Sequence, residues 1–180
     1  MNYKKVLAIS GSTRQHSINH SLIKAIVALS ETSLDIIIYN GIGMLPQFNP
    51  DHDVDNVASE VAEFRQLLHN AEGVIICTPE YAHGVPGALK NAIDWTISSS
   101  SFPFKPTMLI TASTGGNFGH KALMETLKAI EAKNVEQLQM VIPFVKTKVS
   151  MESEITDENT LVEVKRLIAA FIETMNEFEY

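Results

Sequence analysis

An α/β fold is the architecture the sequence predicts: a three-layer sandwich whose five-stranded parallel sheet, order 2-1-3-4-5, carries helices on both faces. Three observations lead there. Five short apolar runs show little polar alternation, as strands buried on both faces do. Segments with apolar residues at helical spacing alternate with those runs. Regular alternation of strand and helix implies right-handed crossovers and hence a parallel sheet.

The elements follow in order. Lys5 to Ser10 is the first strand, with Val6, Leu7 and Ile9 apolar. Ile18, Leu22, Ile26 and Leu29 fall on one helical stripe, with Ser17 placed to cap it. Leu34 to Tyr39 is the second strand, centred on Ile36-Ile37-Ile38. A long loop, Asn40 to Asp55, holds Gly41, Gly43, Pro46 and Pro50. Loops of that length inside a compact domain are often functional. Val57, Val61, Phe64 and Leu68 mark the second helix, and Gly73 to Thr78 the third strand. Pro86 suits the first turn of a helix carrying Leu89, Ile93 and Ile97. Thr107 to Ala112 is the fourth strand, followed by a helix with Leu123, Leu127 and Ile130. The fifth strand lies within Val135 to Val145 and ends near Pro143. Lys146 to Asp157 gives little local signal, and the last helix carries Leu161, Val164, Ile168, Phe171 and Met175.

The chain of 180 residues reads as a single domain, 1–180, able to bury a sizeable core. Its net charge of −7 argues against nucleic acid or an anionic membrane as partner. The lone Cys77 allows no internal disulfide, and the first apolar run is too short for a signal core or a membrane span. A cytoplasmic protein is expected.

In an open parallel sheet, ligands sit beyond the carboxyl ends of the strands, where strand order reverses. Three polar or glycine-rich loops meet that rim: Gly11–Asn19, Pro79–Gly87 and Ser113–Gly119. The first resembles a phosphate cradle, because the leading amides of a helix have no intrahelical acceptor. It is not a Walker A loop, since no Gly-Lys-Ser/Thr closes it, nor a Gly-x-Gly-x-x-Gly turn, since position 13 is threonine. Ser12, Ser17 and Asn19, the charge of Arg14 and the amides around Ile18 suit a terminal monophosphate. The other two loops offer backbone and glycines to a flat ring. Phosphate and ring together describe flavin mononucleotide, FMN.

The chain resembles the NADPH-dependent FMN reductase family of the flavodoxin-like superfamily. Gly11-Ser12-Thr13-Arg14-Gln15-His16-Ser17-Ile18-Asn19 matches G-S-x-R-x-x-S-x-N. Pro79-Glu80-Tyr81, continuing through Pro86-Gly87-Ala88-Leu89-Lys90-Asn91-Ala92-Ile93-Asp94-Trp95, matches P-E-Y…P-G-x-L-K-N-A-[IL]-D-W. Ser113-Thr114-Gly115-Gly116…Gly119 matches the third, glycine-rich loop.

The resemblance implies a flavodoxin-like fold and an NAD(P)H oxidoreductase that passes electrons through FMN to a quinone, flavin, azo compound or metal oxyanion. It implies that Ser12, Arg14, Ser17, Ile18 and Asn19 hold the phosphate. Pro79, Glu80, Tyr81 and Ala82, with Ser113, Thr114, Gly115 and Gly116, would frame the ring. Amides at Glu80-Tyr81 and Gly115-Gly116 would stabilise negative charge on the reduced ring. NADPH or NADH would be the donor, and the assembly a homodimer or homotetramer. Many relatives have asparagine where Ala82 stands, so the chain departs from the pattern there.

A flavodoxin-type electron carrier or redox-sensing module, without NAD(P)H turnover, is the alternative. Arg14 and the Pro79–Trp95 stretch favour the reductase. No acid, base, nucleophile or metal ligand is assigned. His16 and His20 stand four apart without an evident third ligand. Lys90–Trp95 reads as structural, Asp51–Asp55 as a solvated loop, Cys77 as an inert core residue and Ser98–Ser101 as a flexible connection. His83 lies in the ring loop without an assigned role.

Overall fold

The computed structural model describes residues 3–177. Five parallel strands form one sheet in the order β2-β1-β3-β4-β5. They are β1 (Lys4–Ser10), β2 (Leu34–Tyr39), β3 (Gly73–Thr78), β4 (Thr107–Ala112) and β5 (Gln139–Ile142). The helices are α1 (Ile18–Ser30), α2 (Ser59–Asn70), α3 (Gly87–Asp94), α4 (Asn117–Ala129) and α5 (Glu158–Glu177). Val6 pairs with Ile36 on one side and Gly73 on the other, which puts β1 inside the sheet.

Side chains alternate across a strand, so each central strand feeds two cores. Val6, Ala8, Ile75, Cys77 and Ile110 pack with Leu22, Ile26, Val164, Ile168 and Phe171 of α1 and α5. Leu7, Ile9, Val74, Ile76 and Leu109 pack with Phe64, Leu68, Leu89, Ile93 and Leu127 of α2, α3 and α4. β3 and β4 are buried at every residue, which explains their unbroken apolar reading. β2 is an edge, and its Ile37 is half exposed.

Three expectations need correction here. α3 stops at Asp94, so Ile97 lies beyond it and is exposed rather than part of its apolar stripe. Ser98–Ser101 is not a slack connection. Ser98 Oγ donates to Asp53 Oδ2 at 2.6 Å, and the Ser99 and Ser101 hydroxyls lie 2.6 Å apart. Asp53 in turn pairs with Arg65 at 2.8 Å, so the acidic run Asp51–Asp55 is only partly solvated.

The long loop after β2 is clasped by α3. Asn91 Oδ1 accepts from the Phe48 amide at 2.7 Å, and Asn91 Nδ2 donates to the Pro46 carbonyl at 3.0 Å. Trp95 Nε1 donates to the same carbonyl at 2.8 Å, and Phe48 meets the Trp95 ring edge-on. The Lys90–Trp95 stretch is therefore structural, because it satisfies the backbone at Pro46 and Phe48, which lie in no strand or helix. Among the described residues no helix is long and apolar enough to cross a membrane.

Candidate active site

The three rim loops are brought together by specific contacts. The Gly11 amide donates to the Cys77 carbonyl at 2.8 Å, tying the first loop to the end of β3. A Cβ on Gly11 would lie 2.2 Å from Thr78 Oγ1, so only glycine permits this approach. Asn19 Nδ2 donates to the Ala112 carbonyl at 3.0 Å, tying α1 to the end of β4. The Gly119 amide donates to Glu80 Oε2 at 2.5 Å, joining the loops after β3 and β4.

Most donors of the first loop have no protein partner among the described residues. Ser17 occupies the cap position of α1 in extended backbone, yet its hydroxyl makes no capping bond. Among the described residues, no protein acceptor meets the Ile18 and Asn19 amides. Arg14 is exposed, and Ser12 Oγ only accepts a long 3.3 Å bond from the Arg14 amide. A cavity of about 200 Å³ opens beside them, lined by Ser10, Ser12, Arg14, His20 and Asn40. His20 is held below its ordinary pKa by burial first and by Lys24 second. A larger cavity of about 370 Å³ lies between β5 and α5, lined by Gln139 and Arg166, away from the meeting point of the three loops.

The Asn19 side chain is not the free donor that the sequence suggested. Its amide nitrogen is committed to Ala112, and its Oδ1 is buried without a partner. A carboxamide oxygen only accepts, so it repels a phosphate oxygen and suits a hydroxyl.

The other two loops are largely satisfied by each other. Tyr81 and Gly84 exchange both backbone bonds, at 3.1 and 2.8 Å, around Ala82 and His83. The Tyr81 amide, expected to face a ligand, is therefore occupied. Glu80 uses its carboxylate on the first turn of α4, whose cap residue is Gly116. Gly119 owes its identity to a protein contact, since a Cβ there would lie 2.9 Å from the Gly84 carbonyl oxygen. Pro79 is buried, Tyr81 and Ala82 are exposed, and Thr114 and Gly115 are exposed beside half-buried Ser113.

A fourth loop, which no sequence signal marked, closes this region. The Phe144 and Val145 amides donate to the Thr114 and Ser113 carbonyls, both at 3.2 Å. Its role is defined by partners about thirty residues away, in the loop after β4. His120 carried no local signal either. It is buried at the start of α4, with Nε2–H donating to Gln139 Oε1 at 2.7 Å and Nδ1 accepting from the Thr111 hydroxyl at 2.8 Å. Burial lowers its pKa, and the Gln139 bond opposes that in part.

His16 is exposed, and no group of three His, Cys, Asp or Glu able to hold a metal ion occurs among the described residues. Cys77 is fully buried, and burial drives its thiol pKa far above the usual range. It is not a reactive thiol.

A five-stranded parallel sheet of order 2-1-3-4-5, with a donor-rich loop after its first strand, is a flavodoxin-like architecture. The chain belongs to the NADPH-dependent FMN reductase family, whose model matches residues 4–147. The NADH-dependent flavin reductase subunit 2 of Lactobacillus johnsonii is 31% identical, with 87% of this chain and 84% of that protein covered. The 2-hydroxy-1,4-benzoquinone reductase of a Burkholderia species is 32% identical, with 87% of each chain covered. The flavoenzyme NAD(P)H:(acceptor) oxidoreductase of Paracoccus denitrificans superposes with a TM-score of 0.82 at 27% identity, covering 97% of this chain and 98% of that one. The chain is thus an FMN-dependent NAD(P)H oxidoreductase that reduces a small acceptor.

Proposed function

We propose that residues 1–180 act as one FMN-binding domain that reduces quinones in the cytoplasm, as a homodimer or homotetramer. The names of the Burkholderia and Lactobacillus relatives support a quinone or flavin as acceptor. Ser12, Arg14, Ser17 and the amides of Ile18 and Asn19 would hold the phosphate. The Asn19 Oδ1 acceptor would take a hydroxyl of the sugar chain. Pro79, Glu80, Tyr81 and Ala82 would frame the ring on one side, and Ser113, Thr114, Gly115 and Gly116 on the other.

The donor-rich, unsatisfied first loop beside a satisfied rim carries this assignment. It suits a ligand with an anionic tail and a flat head. What FMN supplies when bound is a ring that accepts a hydride from NAD(P)H and passes two electrons on. This chain's residues would position the tail and fix the two walls of the ring site, and exposed Tyr81 and Thr114 would border its open side. No side chain is assigned proton transfer.

Anaerobic mixing of the FMN-loaded protein with NADH or NADPH tests the reading. Loss of the flavin's visible absorbance, followed by its return on adding a quinone, is expected. A flavin that stays oxidised with both nucleotides would overturn it.

A further inference from the structure

We propose that His83 and Phe118 form an aromatic wall that selects flat, conjugated acceptors at the ring site. The inference rests on the reductase reading above and adds the residues that choose among its acceptors. The two rings stack with centroids 4.6 Å apart and planes 25° from parallel. Phe118 is 62% exposed, so the free protein gains little by keeping a phenyl group there. His83 immediately follows the Pro79–Ala82 segment, and Phe118 is the second residue beyond Gly116. The pair therefore stands where the two ring-framing loops meet.

The turn that presents His83 is strained. Ala82 and His83 have φ of 48° and 60°, and Tyr81 and Gly84 close the turn with both backbone bonds. Two consecutive left-handed residues favour Asn-Gly, not Ala-His. Strain of this kind persists where the surroundings fix it and clusters at functional sites. The surroundings here are explicit. The Gly84 carbonyl lies where a Cβ at position 119 would clash, and Glu80 grips the Gly119 amide. Both halves of the wall thus come from loops already bolted together, and the stack is formed before any acceptor arrives.

A stacked, exposed π-surface discriminates by shape. A flat conjugated ring can extend the stack in an offset arrangement, whereas an octahedral complex or a tetrahedral oxyanion has no face to offer.

The test uses FMN-loaded protein reduced with stoichiometric dithionite, which bypasses NAD(P)H. Stopped-flow reoxidation is then followed with 1,4-naphthoquinone and with ferricyanide. Phe118→Leu and His83→Asn are each expected to lower the naphthoquinone-to-ferricyanide rate ratio about fivefold, the size of one aromatic contact. NMR titration with redox-inert 2-naphthoate, with and without FMN, should show a matching loss of affinity in both variants. The double change Ala82→Asn, His83→Gly should raise the melting temperature while lowering the rate ratio. Unchanged ratios would overturn the proposal. So would a loss of dimer on sedimentation of Phe118→Leu, which would make the wall a contact between copies. Wild type that naphthoquinone reoxidises but neither nucleotide reduces would sink the reductase reading and leave the wall standing.

Discussion

The loop after β1 and the loops after β3 and β4 are built in opposite ways. In the first, the Ser17 hydroxyl and the leading amides of α1 have no protein partner among the described residues, and Asn19 Oδ1 is buried alone. In the others, carboxylate, amides and carbonyls are paired: Glu80 with Gly119 across the gap, Tyr81 with Gly84 inside one loop, and Thr114 with Phe144 of the loop after β5. Buried polar groups are nearly always satisfied, which is why we assign the ligand's tail to the loop that is not. The satisfied loops are the walls in the proposed reading, and walls must hold their shape when the ligand is absent. In that reading affinity and geometry fall to separate parts of the rim.

That division can be broken from either side. The largest effect is expected at Arg14. Its guanidinium is exposed and free to meet a phosphate, and a hydrogen bond to a charged group is worth ~1.5–3 kcal/mol. Arg14→Ala should weaken FMN binding about ten- to hundredfold by fluorescence titration, while leaving the apo protein's urea midpoint and the reduction rate at saturating FMN unchanged. A slowed reduction with flavin fully bound would mean that the tail site also sets reactivity.

Glu80→Ala should show the reverse. Loss of this carboxylate cap removes ~1–2 kcal/mol from the apo protein, read by urea unfolding, because α4's first turn loses its acceptor and its counter-charge. Glu80→Gln retains an acceptor oxygen and should recover part of that loss. An apo protein indifferent to Glu80→Ala would show that the walls are not preassembled.

Trp95→Phe comes next, with ~1 kcal/mol lost with the bond to Pro46. Hydrogen exchange should rise at Phe48, whose amide depends on the same clasp. Exchange spreading to the ring loops would mean that the clasp and the walls are one unit.

The smallest effect is a pH dependence at His120, behind the loop after β4. Burial holds its folded pKa below the ordinary 6.5, so the unfolded chain takes up a proton first on acidification. Its contribution to stability is complete above about pH 6.5 and is lost as pH falls through the folded pKa. His120→Gln should therefore flatten the fall in stability as pH drops from neutral through that range. His20, shifted in the same direction, stays in both proteins and cancels in the difference. Equal slopes would show that the Thr111–His120–Gln139 chain accepts a proton without cost.

The sheet was legible because β1, β3 and β4 are buried on both faces, and such strands must be continuously apolar. β5 was harder to bound, since its four residues include three half-buried ones and carry a weaker pattern. At the rim, Ser12, Arg14 and Ser17 were legible as a local run of donors ahead of a helix. What those residues do alone was readable, and what they do with distant partners was not. Asn19 looked like another donor until Ala112, ninety-three positions on, took its amide nitrogen. The Tyr81 amide looked available until the turn through Ala82 and His83 closed on it. Ile97 continued an apolar spacing that α3 had already abandoned at Asp94.

The orphaned oxygen of Asn19 bears on how long the protein lasts in a cell. It is an acceptor that no protein group among the described residues meets, in the loop where FMN binding would add to the folded state. A ligand present at about a hundred times its dissociation constant adds ~2.7 kcal/mol to the folded state. Quality-control proteases sample the unfolded fraction, so abundance should follow the FMN supply. Riboflavin-starved cells would then hold less of the protein, not merely more of its empty form.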